Sequence, residues 1–116
     1  MALVTLSRSE LTSTEATVAL TGSLSTTNTY RVKNTNGTTI LAFRKSGAGA
    51  DTVTLVTPGT EDGNAVAEKT WSVPATTGDI MVTLEPKATY NDSDGYATFT
   101  HSEVTGLTHG AFVVGA

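Results

Sequence analysis

Only two histidines occur in the chain, His101 and His109, eight positions apart. A metal centre built on them would need roughly three or more convergent ligands. The pattern supplies neither an HExxH pair nor a cysteine, so no metal is expected there. The reading of the local pattern puts His101 at the end of a strand and His109 in a turn. Asn91-Asp-Ser-Asp-Gly95 has the look of a calcium loop. If Gly95 is placed at the invariant glycine of an EF-hand, the first and last ligand positions fall on Tyr90 and His101, and neither is a carboxylate. An Asx-rich turn is the plainer reading, and the same applies to Glu61-Asp62-Gly63-Asn64. Gly47-Ala-Gly49 is followed by no GK[ST], which a phosphate loop requires. Gly22-Ser23 lacks the frame of a nucleophile elbow. No cofactor and no catalytic residue is expected, and the chain reads as a non-enzyme. The remaining candidates are basic. Arg31, Lys33, Arg44 and Lys45 fall in a span, Ala16 to Ala50, that contains no Asp or Glu. Such a cluster suits docking onto an acidic protein surface, where charge sets orientation and on-rate more than affinity.

The elements that would carry these residues are strands. The segment Ala50–Ala75 sets the grammar for the whole chain. Two alternating runs, Asp51–Val56 and Lys69–Val73, end at Thr57-Pro58-Gly59 and Pro74. Between them lies a polar loop. Further runs are Ala16–Leu20, Tyr30–Asn34, Thr38–Phe43, Ile80–Leu84 (closed by Pro86), Tyr96–His101 and Ala111–Val114. Asn36-Gly37 between two β runs predicts a type I′ hairpin, because that turn needs φ > 0 at both central residues. The register would set Val32 opposite Leu41 and Tyr30 opposite Phe43 on one face. Arg31, Lys33 and, further along, Arg44 would share the other face with Ile40 and Ala42. About eight evenly spaced strands predict an all-β fold, a jelly-roll-like β-sandwich. Its core would contain Tyr30, Val32, Leu41, Phe43, Val53, Leu55, Trp71, Val73, Ile80, Val82, Leu84 and Phe99. Met1–Leu6 alternates loosely, as an arm or an edge strand would, and the polar Ser7–Glu15 reads as a loop. Residues 1–15 are therefore expected to form an N-terminal arm, and residues 16–116 a single sandwich domain.

Composition agrees. At 116 residues the chain is one domain in length. Threonine is its commonest residue, and β-branched side chains favour the pleated surface. The absence of cysteine excludes disulfides and thiolate chemistry and leaves the redox compartment open. A net charge of −4 argues against nucleic acid as the main partner. No run is apolar for long enough to span a membrane as a helix. The opening MALVTLSRSEL lacks a basic stretch followed by a long apolar one, so a signal peptide is not expected.

Several phrases resemble the small β-rich capsid decoration (head cement) proteins of tailed bacteriophages. They are Asn36-Gly37 with the Thr38–Phe43 run, Thr52-Val-Thr-Leu-Val-Thr-Pro58, Asp62-Gly-Asn-Ala-Val-Ala67, Thr70-Trp-Ser-Val-Pro-Ala75, and Tyr90-Asn91 with Gly95. Met1–Leu24, Arg44-Lys45 and Ser46–Ala50 have no counterpart in that pattern. The resemblance implies a protein made in the host cytoplasm and added to the outer surface of the virion capsid. It would act as a homotrimer that bridges major capsid protein subunits and stabilises the head. The other readings are a tail or head-tail joining component, expected as rings or tubes, and a carbohydrate-binding sandwich. The last would need exposed aromatic rings, for which Tyr90 and Tyr96 are the candidates.

Overall fold

The computed structural model of the chain describes residues 3–11, 20–56, 60–61, 64–65, 68–85 and 90–115. These residues form strands β1 (Leu3–Leu6), β2 (Arg8–Leu11), β3 (Thr29–Lys33), β4 (Thr38–Lys45), β5 (Asp51–Leu55), β6 (Thr60–Glu61), β7 (Asn64–Ala65), β8 (Lys69–Val73), β9 (Gly78–Thr83), β10 (Tyr96–His101) and β11 (Leu107–Val114). One sheet has the order β1-β3-β10-β5-β8 and the other β2-β11-β4-β9, while β6 and β7 pair separately. The two larger sheets pack face to face, so the chain is an all-β sandwich. Every residue expected in the core lies in one apolar cluster, with Trp71, Ile80 and Val82 half-buried at its border. Ala97, Leu107 and Ala111 complete it. The expected strand at Ala16–Leu20, the Thr57–Gly59 turn and the Pro86 stop lie largely or wholly outside the described residues.

The Asn36-Gly37 hairpin does not form. Both residues adopt the expected left-handed conformation (φ 56 and 109°), but β3 and β4 enter different sheets. The backbone edges of β3 are taken by β1 and β10, and those of β4 by β11 and β9. The turn is therefore an arch. Tyr30 and Val32 approach Phe43 and Leu41 across the core instead of side by side, which satisfies the same binary pattern. The arch is tied to the 91–96 turn. The Asn34 backbone N–H donates to the Gly95 carbonyl at 2.8 Å. The Asn34 side-chain amide donates to the Leu84 carbonyl at 2.8 Å and to Asn91 Oδ1 at 2.6 Å, and the Asn91 amide returns a bond to the Asn34 carbonyl at 2.8 Å. Replacing Asn91 with alanine removes both of its bonds and strands a largely buried carbonyl. The expected loss is about 1–3 kcal/mol, read as a lower urea midpoint at unchanged m-value.

Of the two forms expected for Met1–Leu6, an arm or an edge strand, Leu3–Leu6 takes the second. β1 extends one sheet in parallel with β3, and β2 extends the other in parallel with β11. Ser7–Glu15 was expected to be a loop, yet Arg8–Leu11 is an edge strand. Free sheet edges supply backbone partners that outweigh weak local preference. Arg8 Nη1 adds bonds to the Thr35 carbonyl (2.8 Å) and the Thr39 hydroxyl (2.9 Å), clipping β2 to the arch.

Candidate functional site

The two outer faces of the sandwich differ in chemistry. On the five-stranded sheet, the residues facing away from the core are Arg31 and Lys33 on β3, Tyr96, Thr98 and Thr100 on β10, Thr52 and Thr54 on β5, and Thr70 and Ser72 on β8. That is the ordinary alternation of a sheet with one wet side. The four-stranded sheet is different. Its two central strands carry unbroken apolar runs, Ile40-Leu41-Ala42-Phe43 and Ala111-Phe112-Val113-Val114. Leu41, Phe43 and Ala111 face the core. Ile40, Ala42, Phe112 and Val114 face outward, beside Met81 of β9 and Leu11 of β2. Leu11, Leu20, Ala42, Met81 and Phe112 line a groove of about 380 Å³ with Arg44 and Asp79. Met81 is 61 % exposed and Val114 43 %, whereas Ala42 and Phe112 are buried at the floor of the groove. Apolar residues on both sides mark a strand whose sheet is meant to be covered on both sides.

The four basic residues proposed from the sequence do not form one patch. Arg31 and Lys33 lie on the outer face of one sheet and Arg44 on the outer face of the other, because the arch separates β3 from β4. Arg31 stacks its guanidinium on the Tyr96 ring at 4.4 Å and donates from Nε to the Thr5 hydroxyl at 2.9 Å. Lys33 is exposed. Arg44 stands at the end of the apolar groove, 3.6 Å from Asp79, with both side chains largely exposed. An ion pair so placed contributes little to stability. Lys45, expected among the docking residues, is not accessible to a partner. It is 1 % exposed, and its ammonium donates to the Thr105 carbonyl inside the end of the sandwich. As the residue following Arg44 on a strand it must point the other way.

The histidines, eight positions apart in the sequence, meet in the core. His101 ends β10, as expected, but His109 lies within β11 and not in a turn. His101 Nδ1 is 2.7 Å from Asp51 Oδ2, and His101 Nε2 is 3.0 Å from His109 Nδ1. All three side chains are buried. Asp51 Oδ1 accepts the backbone N–H groups of Ser102 (2.8 Å) and Glu103 (3.1 Å). Burial alone would raise the Asp51 pKa. The His101 hydrogen bond and charge, with those two N–H groups, outweigh it and hold the carboxyl below its ordinary value. Burial, with His101 beside it, pushes His109 down to about 4 against a partial opposing effect of Asp51. Tyr30, Phe43 and Phe99 surround the two imidazoles at ring-centroid distances of 4.8–6.3 Å. The trio therefore acts as a polar rivet between the sheets. Period-two reading alone places Asp51, His101 and His109 on inward positions of their strands, yet nothing in it signals that three strands bring them together.

Asn91–Tyr96 is an Asx turn. Asp92 Oδ1 accepts the N–H groups of Asp94 (2.9 Å) and Tyr96 (3.0 Å), and Gly95 takes φ 82°. Among the described residues, no group of three or more His, Asp or Glu side chains converges to hold a metal ion. Trp71 and Tyr90 are half-buried against the core, and Tyr96 lies beneath Arg31. Comparison with protein-family models, with curated proteins and with solved structures gives no match.

Proposed function

We propose that this protein is a non-enzymatic structural module that binds the outside of a bacteriophage head and stabilises it. The observation that carries the docking part of this reading is the apolar groove on the outer side of the four-stranded sheet, where exposed Met81 stands over a floor formed by the buried Ala42 and Phe112. The head itself as partner rests on the resemblance of the chain to capsid decoration proteins. The partner is the major capsid protein, and the active form is a homotrimer. Three copies held together engage the shell at high effective concentration, so modest single contacts add up to tight attachment. A clamp that binds only the assembled shell stabilises that shell by mass action. Arg44 and Asp79 at the end of the groove supply orientation. The trio Asp51, His101 and His109 has a structural role, since Asp51 and His101 are enclosed by protein on every side.

Sedimentation of the purified protein with undecorated heads tests this. The expected result is saturable co-sedimentation and greater resistance of the heads to heat. A protein that leaves heads unoccupied and forms rings or tubes alone belongs instead to the tail or the head-tail joint. A Met81→Lys variant locates the face. Burying a methionine is worth about 1.5–3 kcal/mol, so the variant is expected to lose roughly tenfold to a hundredfold in affinity per contact. Its folding stability should stay within about 0.5 kcal/mol of the parent, because Met81 is 61 % exposed. Unchanged binding would remove this face from consideration.

A further inference from the structure

We infer that Asp51, His101 and His109 form an acid-sensitive latch whose second proton releases the N-terminal edge of the sandwich, β1, β2 and residues 20–24, while the rest of the core stays folded. The latch follows from where the protons can sit. With His101 Nδ1–H donating to Asp51, the 3.0 Å contact between His101 Nε2 and His109 Nδ1 holds a single hydrogen. That hydrogen belongs to His109 when both rings are neutral. It belongs to His101 when that ring is cationic, and the charge is then compensated by Asp51. A second proton sets N–H against N–H at the same contact, so the pair must part.

The direction in which it parts is set by the surroundings. His101 is held by Asp51 and packed among Tyr30, Phe43 and Phe99. His109 instead forms part of the wall of a cleft of about 480 Å³, which β1, β2 and residues 21–24 enclose on the other side. Among the described residues its Nε2 has no hydrogen-bond partner. A charged His109 therefore gains water by moving toward that cleft. Two fastenings resist the movement. Thr21 exchanges backbone bonds with His109 in both directions (2.8 and 3.0 Å). The Tyr30 ring lies edge-on to His109 at 4.8 Å, and its hydroxyl accepts the Ser25 backbone N–H at 2.9 Å. The titratable groups facing the pair are Asp51 from β5 and Tyr30 from β3. The nearby Lys45 ammonium and Glu103 carboxylate are both turned to Thr105, through its carbonyl and its N–H respectively. The low pKa of His109, about 4, agrees with this exclusion of the second proton.

Hydrogen exchange on the full chain, read by peptide and corrected for intrinsic pH effects, tests the latch. Protection of residues 3–11 and 20–24 is expected to fall about tenfold per pH unit between roughly pH 6 and 4, the slope of one linked proton. That loss should be nearly independent of urea, whereas β5 and β10 exchange only by urea-dependent global unfolding. In His109→Gln the pH slope should vanish. Edge amides that share the urea dependence of the core, or a slope that persists in His109→Gln, would overturn the latch. If that variant fails to fold, a proton titration by NMR decides on the parent protein. The His109 ring and the Thr21 amide should titrate with one midpoint, and separate midpoints would refute the coupling.

Discussion

Asp51→Ala is expected to destabilise the sandwich by about 3 kcal/mol, the upper end of the cost of leaving a buried polar group without its partner. The carboxylate is fully buried and accepts four hydrogen bonds, from the His101 ring, the Ser102 and Glu103 N–H groups and, at 3.5 Å, the Ser102 hydroxyl. Alanine leaves the buried His101 ring and the Glu103 N–H without this acceptor, while the Ser102 N–H keeps only its 3.2 Å bond to the Thr52 carbonyl. It also unties the corner where β10 turns toward β11, since Ser102 and Glu103 begin that connection. Asp51→Asn separates charge from geometry. Its amide oxygen can keep one set of bonds, but its NH₂ faces a donor, so an intermediate loss is expected. Chemical denaturation of the three proteins at neutral pH checks the order. An Asp51→Ala midpoint equal to that of the parent would show that the trio contributes nothing to the fold.

Acid is expected to weaken the native state over a definite window. His109 has a folded pKa of about 4 against about 6.5 in the unfolded chain. Between those values the unfolded chain binds more protons, so stability falls as pH drops and levels off below about pH 4. The closed native state loses about 3 kcal/mol relative to any state in which His109 is hydrated. Asp51 acts in the same direction at lower pH. Its depressed pKa stabilises the fold above the ordinary carboxyl value of 3.8, and this is lost as the carboxylate is protonated below it. Urea denaturation from pH 7 to pH 4 should show the decline in the parent and a much flatter curve in His109→Gln. A parent curve that is flat across that window would contradict the burial of a neutral His109.

The inward and outward alternation of Tyr30–Lys33, Asp51–Leu55, Lys69–Val73 and Tyr96–His101 is a local property of the chain. Sequence alone therefore determined the all-β class, most strands and the membership of the core. It also determined the left-handed conformation of Asn36 and Gly37, since few other residue pairs tolerate φ > 0 twice in succession. Strand partners were not legible there. A period-two pattern states which face is buried, not which neighbour completes the ladder. An arch and a hairpin bury Tyr30, Val32, Leu41 and Phe43 equally well. Only the tertiary structure decided that β3 and β4 part, because the competition for backbone edges by β1, β9, β10 and β11 is non-local. That one decision moved Arg44 to the far side of the molecule from Arg31 and Lys33. It also left Ile40, Ala42 and Phe112 on an outer face whose apolar character was visible in the runs of β4 and β11. The meeting of Asp51, His101 and His109 was likewise tertiary. Each lies inward on its own strand, but their contact depends on β10 pairing with β5 in one sheet while β11 crosses them from the other.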